Sequence, residues 1–220
     1  HGITVYNAGG VYSAPMAEFV VGGILQLYKE SKFFAENQAA HRWEKHRGLR
    51  ELSGKTACII GTGSVGSAIA RRLRAFDVQT VGINRSGHSA AEFDQTQPTC
   101  RLDDLLPLAD LVICAMPLTV ETAGLFDSVR LAKIKPGAVF VNVARGKVAD
   151  QQSLVEALQS GQLSGAVLDV FEEEPLPRSS PLWDMEQVIL TPHNSFVGEH
   201  NGERLFKCIK EHLYELSKEC

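Results

Sequence analysis

Short apolar runs alternate with helical or polar segments along most of the chain. Six of these runs are typical of buried strands: Ala57–Ile60, Thr80–Ile83, Leu111–Ala115, Ala138–Val143, Ala166–Val170 and Val188–Leu190. Between them, apolar residues recur at three- and four-residue spacing, as on one face of a helix. Continuous apolar strands separated by helices form parallel sheets that are covered on both faces. The pattern therefore predicts an α/β fold with a doubly wound parallel sheet.

A long helix is predicted before this alternation, and another helix after it. Pro15 suits a first helical turn, and the apolar spacing that follows it fades near Trp43 into a polar, basic connector. Asp150 and Gly161 are a suitable cap and stop for a helix in the second half of the chain. The opening stretch "HGITVYN" is typical of an apolar strand. The last helix carries four apolar residues at helical spacing: Leu205, Ile209, Leu213 and Leu216.

Composition narrows the classes of function. The 220 residues are 44% hydrophobic and 22% charged, which is typical of a soluble globular protein. A formal net charge of -4 gives no support for nucleic acid or an anionic membrane as a partner. The five cysteines are scattered without a C-x-x-C pair, so we expect a reducing, cytoplasmic location and no metal site. Because the chain opens in an apolar stretch without a methionine, we expect it to be part of a longer protein.

The stretch "IIGTGSVGSAIARRL" combines a strand end, a glycine-rich loop and a helix start. Gly61, Gly63 and Gly66 have G-x-G-x-x-G spacing, with Ser64 and Val65 between them. The glycines allow a tight turn, a close approach to a pyrophosphate and packing of the helix on the strand. Free N–H groups at the helix start can then bind phosphate. In this context the motif predicts a dinucleotide site in a Rossmann domain, with a plain structural turn as the alternative.

Three further strand ends carry polar residues that could perform chemistry. "VFVNVARG" contains Arg145, "AVLDVFEEEP" contains Asp169 and three glutamates, and "VILTPHNS" contains His193. An arginine fork suits a carboxylate, and a histidine beside a carboxylate can transfer a proton near neutral pH. With a nicotinamide this set could reduce a 2-keto acid, although each residue alone is also typical of a turn or a solvated loop. The other histidines lie at no strand end and have no predicted role: His41, His46, His88, His200 and His212.

With these residues the chain resembles the D-isomer-specific 2-hydroxyacid dehydrogenases, which include phosphoglycerate, glycerate, hydroxypyruvate and D-lactate dehydrogenases. The resemblance runs from about Ile3 to the last helix. Six motifs in the family's order carry it: "NAGGVYSAPMAEFVVGGIL", "LSGKTACIIGTGSVGSAIA", "AMPLTVETAGLF", "IKPGAVFVNVARGKVAD", "GAVLDVFEEEPLP" and "LTPHNS". The resemblance implies an NAD(P)-dependent oxidoreductase that transfers a hydride between the nicotinamide and a small 2-keto or 2-hydroxy acid.

The resemblance also implies a role for each matching residue. Arg145 would bind the carboxylate and carbonyl of the substrate beside the cofactor. Glu174, the glutamate directly before a proline, would pair with His193, which acts as the acid or base. Asp169 would hold the nicotinamide carboxamide. The remaining matching residues would lie along the cofactor: Met116, Pro117, Thr122 and Ala144.

Two departures from the family bear on function. We expect the flavodoxin-like substrate domain, which forms the first part of family members, to be absent here. Residues 1–194 would then be the dinucleotide-binding domain, and residues 195–220 a C-terminal helix that belongs to the missing substrate domain. The second departure follows the second strand, where an NAD-preferring member would place an aspartate near position 84. Because Asn84, Arg85 and Ser86 remove that charge and add a donor fork, we expect NADP in preference to NAD.

Relatives dimerise mainly through the cofactor domain. The long first helix and its following arm are present here, from Pro15 to about Trp43, so the resemblance implies a homodimer. Two alternatives to an active enzyme stay open: a dinucleotide-sensing module, as in the corepressors of the family, and an inactive fragment of such an enzyme. The complete set of Arg145, Glu174 and His193 favours the enzyme over the sensor. The identity of the 2-hydroxy acid is left open.

Overall fold

A computed structural model describes residues 5–218, in which seven parallel strands form one central sheet. The strands are β1 (Thr56–Ile60), β2 (Gln79–Asn84), β3 (Gln95–Pro98), β4 (Leu111–Cys114), β5 (Ala138–Asn142), β6 (Leu163–Leu168) and β7 (Val188–Leu190). Their order is β3-β2-β1-β4-β5-β6-β7, and each neighbouring pair is parallel. Because the chain order reverses between β1 and β4, the predicted doubly wound Rossmann sheet is confirmed.

The hydrophobic pattern predicts six strands and misses β3. This strand has the sequence QTQP, and none of its four residues is fully buried. It pairs with β2 at the edge of the sheet, from Gln95 opposite Val81 to Pro98 opposite Asn84. An edge strand has only one neighbour, so it can be polar and can accommodate a proline. A prediction based on apolar runs therefore cannot find it.

Helices cover both faces of the sheet. Asp150 caps one of them by accepting a hydrogen bond from the Ser153 N–H at 2.7 Å, and Gly161 follows its end with a φ of 76°, as predicted. The helices are α1 (Ser13–Tyr28), α2 (Ser31–Ala39), α3 (Ser64–Arg74), α4 (Leu102–Leu105), α5 (Ser128–Lys133), α6 (Gln151–Gln159) and α7 (Asn201–Leu216). Four short 3-10 turns complete the regular structure: Thr99–Arg101, Leu106–Leu108, Gly146–Val148 and Pro181–Asp184.

The long first helix of the prediction is two helices. α1 ends at Tyr28, and Glu30 has a φ of 50°, which lies in the left-handed region and cannot continue an α-helix. Within α2 only Asn37 is buried, so this helix has no apolar face against the sheet. After α2 the chain has no regular structure up to β1, and it exposes Trp43, which is 98% accessible to solvent.

Alternate strand residues build two apolar layers, one on each face of the sheet. In β1, Cys58 and Ile60 pack in one layer, whereas Ala57 and Ile59 pack in the other. α1 lies against the second layer. A Cβ on Gly23 would be 2.6 Å from a methyl carbon of Val167, so this glycine allows α1 to approach β6 closely.

The last helix is present as predicted, but its apolar residues are not covered. None of the residues of α7 is buried, and Phe206, Ile209 and Leu213 are 70%, 49% and 61% exposed. Arg204 ties the helix start to the chain before α1, because its Nε donates to the Val11 carbonyl at 2.7 Å. An amphipathic helix with its apolar residues in water is typical of a surface that another element covers.

The strand expected at the N-terminus lies partly outside the described residues, and residues 5–8 have no regular structure. Among residues 5–218, none of the helices combines the length and hydrophobicity that a membrane crossing requires. The described cysteines are free thiols: Cys58, Cys100, Cys114 and Cys208.

Candidate active site

The parallel strands bring the predicted site residues to one edge of the sheet. The glycine loop follows β1, and Met116 follows β4. Arg145, Asp169 and His193 follow β5, β6 and β7. Because the carboxyl ends of parallel strands point the same way, the loops that follow them form one continuous rim.

The three glycines of the loop after β1 have different structural roles. Gly61 has a φ of 108°, and a Cβ there would lie 2.7 Å from the Ala115 carbonyl oxygen. A Cβ on Gly66 would overlap the Gly61 carbonyl oxygen. At Gly63, in contrast, no described atom lies within 4 Å of the Cβ position. The fold therefore requires glycine at the first and third positions, where a Cβ would clash with backbone. The second glycine leaves open space above the loop.

The start of α3 offers backbone N–H groups to an anion. Gly63 is its N-cap, and no side chain among the described residues caps the helix. The first N–H groups of a helix have no acceptor within the helix, so those of Ser64, Val65 and Gly66 are available. The positive end of the helix dipole also favours negative charge at this point. Together with the space at Gly63, these groups suit a pyrophosphate.

Asn84 shapes the turn after β2 from the inside. Its Oδ1 accepts a hydrogen bond from the Gly87 N–H at 2.6 Å. Its Nδ2 donates to Thr62 Oγ1 at 3.2 Å and to the His88 carbonyl at 2.9 Å. Both amide protons are thus engaged within the protein. The structure therefore gives Asn84 a part in positioning the turn, and its expected contact with a cofactor stays a prediction.

Arg85 and Ser86 are exposed at the tip of the same turn. The charge of Arg85 reaches Glu121, on the loop after β4. The pKa of the Glu121 carboxyl is lowered by hydrogen bonds from the Thr119 hydroxyl and from its own N–H, and then by Arg85. A positive charge therefore lies at the tip of the turn, and the loop after β4 is within range of it.

A cavity of about 400 Å³ lies between the glycine loop and the loops after β4 and β5. Five predicted site residues line it: Val65, Met116, Pro117, Ala144 and Arg145. Thr122 is placed differently, because its hydroxyl donates to the Pro117 carbonyl at 2.8 Å and accepts from the Thr119 N–H at 2.7 Å. These two hydrogen bonds hold together the loop after β4, part of which lines the cavity.

Asn142, at the end of β5, shapes the turn that presents Arg145. Its buried side chain accepts the Ala144 N–H and donates to the Arg145 carbonyl, both at 3.0 Å. Gly146 is required next, because a Cβ there would overlap the Phe171 backbone. The sequence prediction did not include Asn142. The signal that could have found it is an asparagine at the last position of an otherwise apolar strand, since asparagine readily bonds the backbone two residues on.

Asp169 anchors the loop that carries His193. The Asp169 side chain is buried, and its Oδ1 accepts hydrogen bonds from Thr191 Oγ1 at 2.6 Å and the Asn194 N–H at 2.7 Å. Its Oδ2 accepts the Ser195 N–H at 3.0 Å. The backbone adds a bond from the His193 N–H to the Asp169 carbonyl at 2.8 Å. The predicted contact of Asp169 with the nicotinamide carboxamide stays a prediction beside this anchoring role.

Glu174 and His193 form a hydrogen-bonded pair. Nδ1 of His193 lies 2.8 Å from Oε2 of Glu174. The other Glu174 oxygen accepts the Phe171 N–H at 3.1 Å, which fixes the carboxylate in orientation. Glu172 points elsewhere, because its Oε1 accepts the Gln151 N–H at the start of α6 at 2.8 Å. Of these two glutamates, the structure therefore brings Glu174 to the histidine.

The pKa of Glu174 lies below its usual value. Partial burial acts in the opposite direction and is the largest single influence. The hydrogen bonds from His193 and from the Phe171 N–H, together with the charges of His193 and Arg145, outweigh it. Glu174 is therefore a carboxylate at neutral pH, and a carboxylate at hydrogen-bond distance favours the imidazolium form of a histidine.

The pair borders an apolar cavity of about 580 Å³ whose walls include Leu176, Trp183 and Leu190. On another side, the ring of Phe196 meets the His193 ring edge-on at 6.1 Å. Both side chains of the pair are partly exposed, with 40% of the His193 side chain and 37% of the Glu174 side chain accessible. The histidine can therefore reach a ligand at the rim.

Comparison with known proteins decides the family. Residues 21–195 match the model described as "D-isomer specific 2-hydroxyacid dehydrogenase, NAD binding domain". The chain belongs to this family. The matched residues include the glycine loop, Arg145, Glu174 and His193, so the resemblance found in the motifs is confirmed.

Relatives of this dehydrogenase-family chain agree with that assignment. A glyoxylate reductase from Thermofilum pendens is 39% identical over 224 residues, which cover 99% of this chain and 66% of the relative. A D-isomer specific 2-hydroxyacid dehydrogenase family protein from Aeromonas salmonicida is 36% identical, with a TM-score of 0.84 over 97% of this chain and 67% of that one.

A third relative carries a cofactor. The NADPH-dependent glyoxylate/hydroxypyruvate reductase from Sinorhizobium meliloti, solved with NADP and sulfate, is 29% identical, with a TM-score of 0.82. The match covers 94% of the dehydrogenase-family chain and 66% of that structure. The chain thus spans about two thirds of the length of these relatives, and the matched family model is that of the NAD-binding domain.

Proposed function

We propose that the chain is the cofactor-binding part of an NADP-preferring dehydrogenase that interconverts a small 2-keto acid and its D-2-hydroxy acid. The hydrogen-bonded pair of Glu174 and His193 carries this proposal, because it stands on the same sheet edge as the glycine loop and Arg145. An acid/base pair, a carboxylate-binding fork and a dinucleotide site are the parts that such a reaction needs. A sensing module would need only the last of these.

The residues fit a dinucleotide. The open space at Gly63 and the uncapped start of α3 suit the pyrophosphate, with Ser64, Val65 and Gly66 as donors. The cavity lined by Met116, Pro117, Ala144 and Arg145 also includes Val65 of the glycine loop, so it adjoins the proposed pyrophosphate site. A nicotinamide bound there supplies the hydride when a keto acid is reduced.

The remaining chemistry belongs to the side chains of the chain itself. Arg145 can donate two parallel hydrogen bonds to the substrate carboxylate and so hold the keto acid. Because Nδ1 of His193 faces Glu174, Nε2 is the ring nitrogen that can donate a proton to the carbonyl oxygen. The carboxylate of Glu174 stabilises the imidazolium until that transfer. In the oxidation direction, His193 accepts the proton of the hydroxyl group.

Arg85 and Ser86 support NADP as the preferred cofactor. A guanidinium and a hydroxyl at the tip of the turn after β2 can bind a 2′-phosphate with charge-assisted hydrogen bonds. A ribose with two free hydroxyls would instead favour a carboxylate acceptor at this position. The Sinorhizobium meliloti relative, which was solved with NADP, is consistent with this preference.

The wider organisation is part of the same proposal. Residues 1–194 would form the cofactor domain, and residues 195–220 would complete a substrate domain. The uncovered apolar residues of α7 are suited to packing against that domain.

A homodimer would bury the arm around Trp43, which the single chain leaves exposed. Free thiols fit a cytoplasmic location.

The test is the oxidation of NADPH by the protein that contains this chain, with glyoxylate or hydroxypyruvate as the keto acid. We expect turnover with at least one of them, and D-glycerate as the product from hydroxypyruvate. NADPH binding without turnover of any small 2-keto acid would instead favour the sensing module. His200 is a suitable site for a control substitution, since its ring pairs with Glu199 and Glu203 and lies at no strand end.

A further inference from the structure

We infer that His88 is a second specificity-determining residue for the adenosine 2′-phosphate, acting beside Arg85 and through the hydroxyl of Ser86. The inference rests on the proposed NADP-preferring function, because the 2′-phosphate is the group that His88 would distinguish. No strand end presents His88, and the motifs give it no role. Its position in the folded turn is what points to a ligand.

The imidazole of His88 contacts one of the two residues proposed to bind the phosphate. Nδ1 of His88 lies 3.1 Å from the hydroxyl oxygen of Ser86. Both residues are exposed, as is Arg85. Three polar side chains at the tip of one short turn, two of them able to carry positive charge, are suited to an anion.

The turn that holds these groups is fixed to the edge of the sheet. Gly87 has a φ of 75°, and a Cβ there would lie 2.8 Å from the Pro98 ring, so the turn sits close to the end of β3. The Gly87 carbonyl accepts a hydrogen bond from Thr96 Oγ1 at 3.3 Å. The His88 carbonyl accepts one from the Asn84 amide at 2.9 Å. The backbone of the turn that carries Ser86 and His88 is therefore tied to the edge of the sheet.

The protonation state of His88 determines what the Ser86 hydroxyl can offer. When Nδ1 carries no proton, it is an acceptor, and the Ser86 O–H is used to donate to it. When the imidazole is protonated, Nδ1 becomes a donor to the Ser86 oxygen, and the Ser86 O–H is free to donate to the phosphate. The imidazolium thus always combines a positive charge with a free Ser86 donor, whereas a neutral ring frees that donor only when its single proton is on Nδ1. The charge and the donor both favour the 2′-phosphate.

A bound 2′-phosphate would place an anion beside His88. Arg85 lies on the same turn as His88, and its charge acts on Glu121 in the loop after β4. Among the described residues, the histidines with a carboxylate at ion-pair distance are His193 and His200, and His88 is not one of them. The phosphate would therefore be the anion that pairs with the His88 imidazolium. Histidine gains its charge between about pH 8 and pH 5, so the preference for NADP(H) should strengthen as pH falls.

The experiment measures dissociation constants of NADPH and NADH from their nicotinamide fluorescence, at about pH 8.5 and about pH 6.5. The probes are the parent protein, His88→Asn, Arg85→Ala and a His200→Asn control. Asparagine places a polar atom near the position of Nδ1, so it can keep the hydrogen bond to Ser86 without gaining charge. The ratio of the NADH and NADPH dissociation constants is compared between the two pH values, because effects of pH on the parts that both cofactors share cancel in that ratio. A phosphate monoester loses charge itself near pH 6, which works against the expected rise.

We expect the preference of the parent for NADPH over NADH to rise about three- to tenfold between the higher and the lower pH. His88→Asn should keep a preference at the higher pH and lose the rise, while His200→Asn should behave like the parent. An equal rise in the parent and in His88→Asn would overturn the role of His88, and the loss of preference in Arg85→Ala would then show that the cofactor proposal itself stands. Equal affinities for the two cofactors in the parent at both pH values would overturn the cofactor proposal, and this inference with it.

Discussion

Nδ1 of His193 and Oε2 of Glu174 lie 2.8 Å apart, although the residues come from loops after different strands. Asp169, directly after β6, holds the loop that carries His193. It accepts four hydrogen bonds from that loop, three of them at its carboxylate. The Phe171 N–H holds the carboxylate of Glu174. The pair is therefore preorganised by the fold around it, and its parts can be tested one at a time.

His193→Gln should abolish most of the keto-acid reduction. Glutamine keeps the polarity of the side chain but cannot donate a proton as an acid, so the rate should fall about 100-fold or more. Cofactor affinity should change little, because the dinucleotide site lies on other loops. The measurement is kcat for NADPH-dependent reduction, with His200→Gln as the control. A rate close to that of the parent would show that His193 is not the acid.

Glu174→Gln should change the pH profile. The lowered pKa of Glu174 means that its carboxylate is present at neutral pH and is lost only as pH falls through that lowered value. While it is ionised, a carboxylate at hydrogen-bond distance favours the charged form of a histidine, so Glu174→Gln should lower the pH at which reduction fades. The measurement is the rate of reduction against pH, with Glu173→Gln as the matched control. An unshifted profile in Glu174→Gln would contradict the assignment.

Arg85→Ala should weaken NADPH binding and leave NADH binding nearly unchanged. Hydrogen bonds to charged groups contribute about 1.5–3 kcal/mol, which corresponds to about a ten- to hundredfold preference for NADPH in the parent. The contact should also weaken with added salt, because the residue is exposed. Titration of both cofactors at two ionic strengths checks this. If Arg85 stacks on the adenine instead, both affinities should fall together.

Asp169→Asn should destabilise the protein as well as slow it. The buried carboxylate accepts three hydrogen bonds, and an amide brings an N–H group into a site that offers only donors. We expect the free energy of unfolding to fall by about 2–3 kcal/mol in Asp169→Asn and by about 1 kcal/mol in Thr191→Val, which removes one bond. Urea denaturation measures both. Equal stability of Asp169→Asn and the parent would show that the anchor is dispensable.

The chain should form a homodimer. The arm after α2 and the exposed Trp43 would be buried between two copies, as would part of the surface of α1 and α2. Light scattering at micromolar concentration should give about twice the chain mass. A mass near 24.0 kDa would refute the assembly. Trp43→Ala should then shift the equilibrium towards the monomer if the arm is part of the interface.

Much of the fold follows from local patterns. Apolar runs and helical spacing place six of the seven strands, because burial on both faces requires continuous apolar residues. The glycine loop is equally local, since the turn, the helix start and the space for a phosphate are all encoded within a few residues. The polar edge strand β3 and the break at Glu30 have no such signal. Their conformations depend on a neighbouring strand and on the position where α1 leaves the sheet.

The site divides in the same way. The sequence by itself determined that Arg145, Glu174 and His193 stand at strand ends, and the motifs around them predicted the family. Only the tertiary structure decided that Asn84 turns inward, that Asp169 holds the His193 loop, and that the imidazole of His88 meets Ser86. A hydrogen bond between side chains depends on distances and directions that the chain acquires only when its elements pack. Residue spacing determines the period of burial, but it does not determine which polar groups become partners.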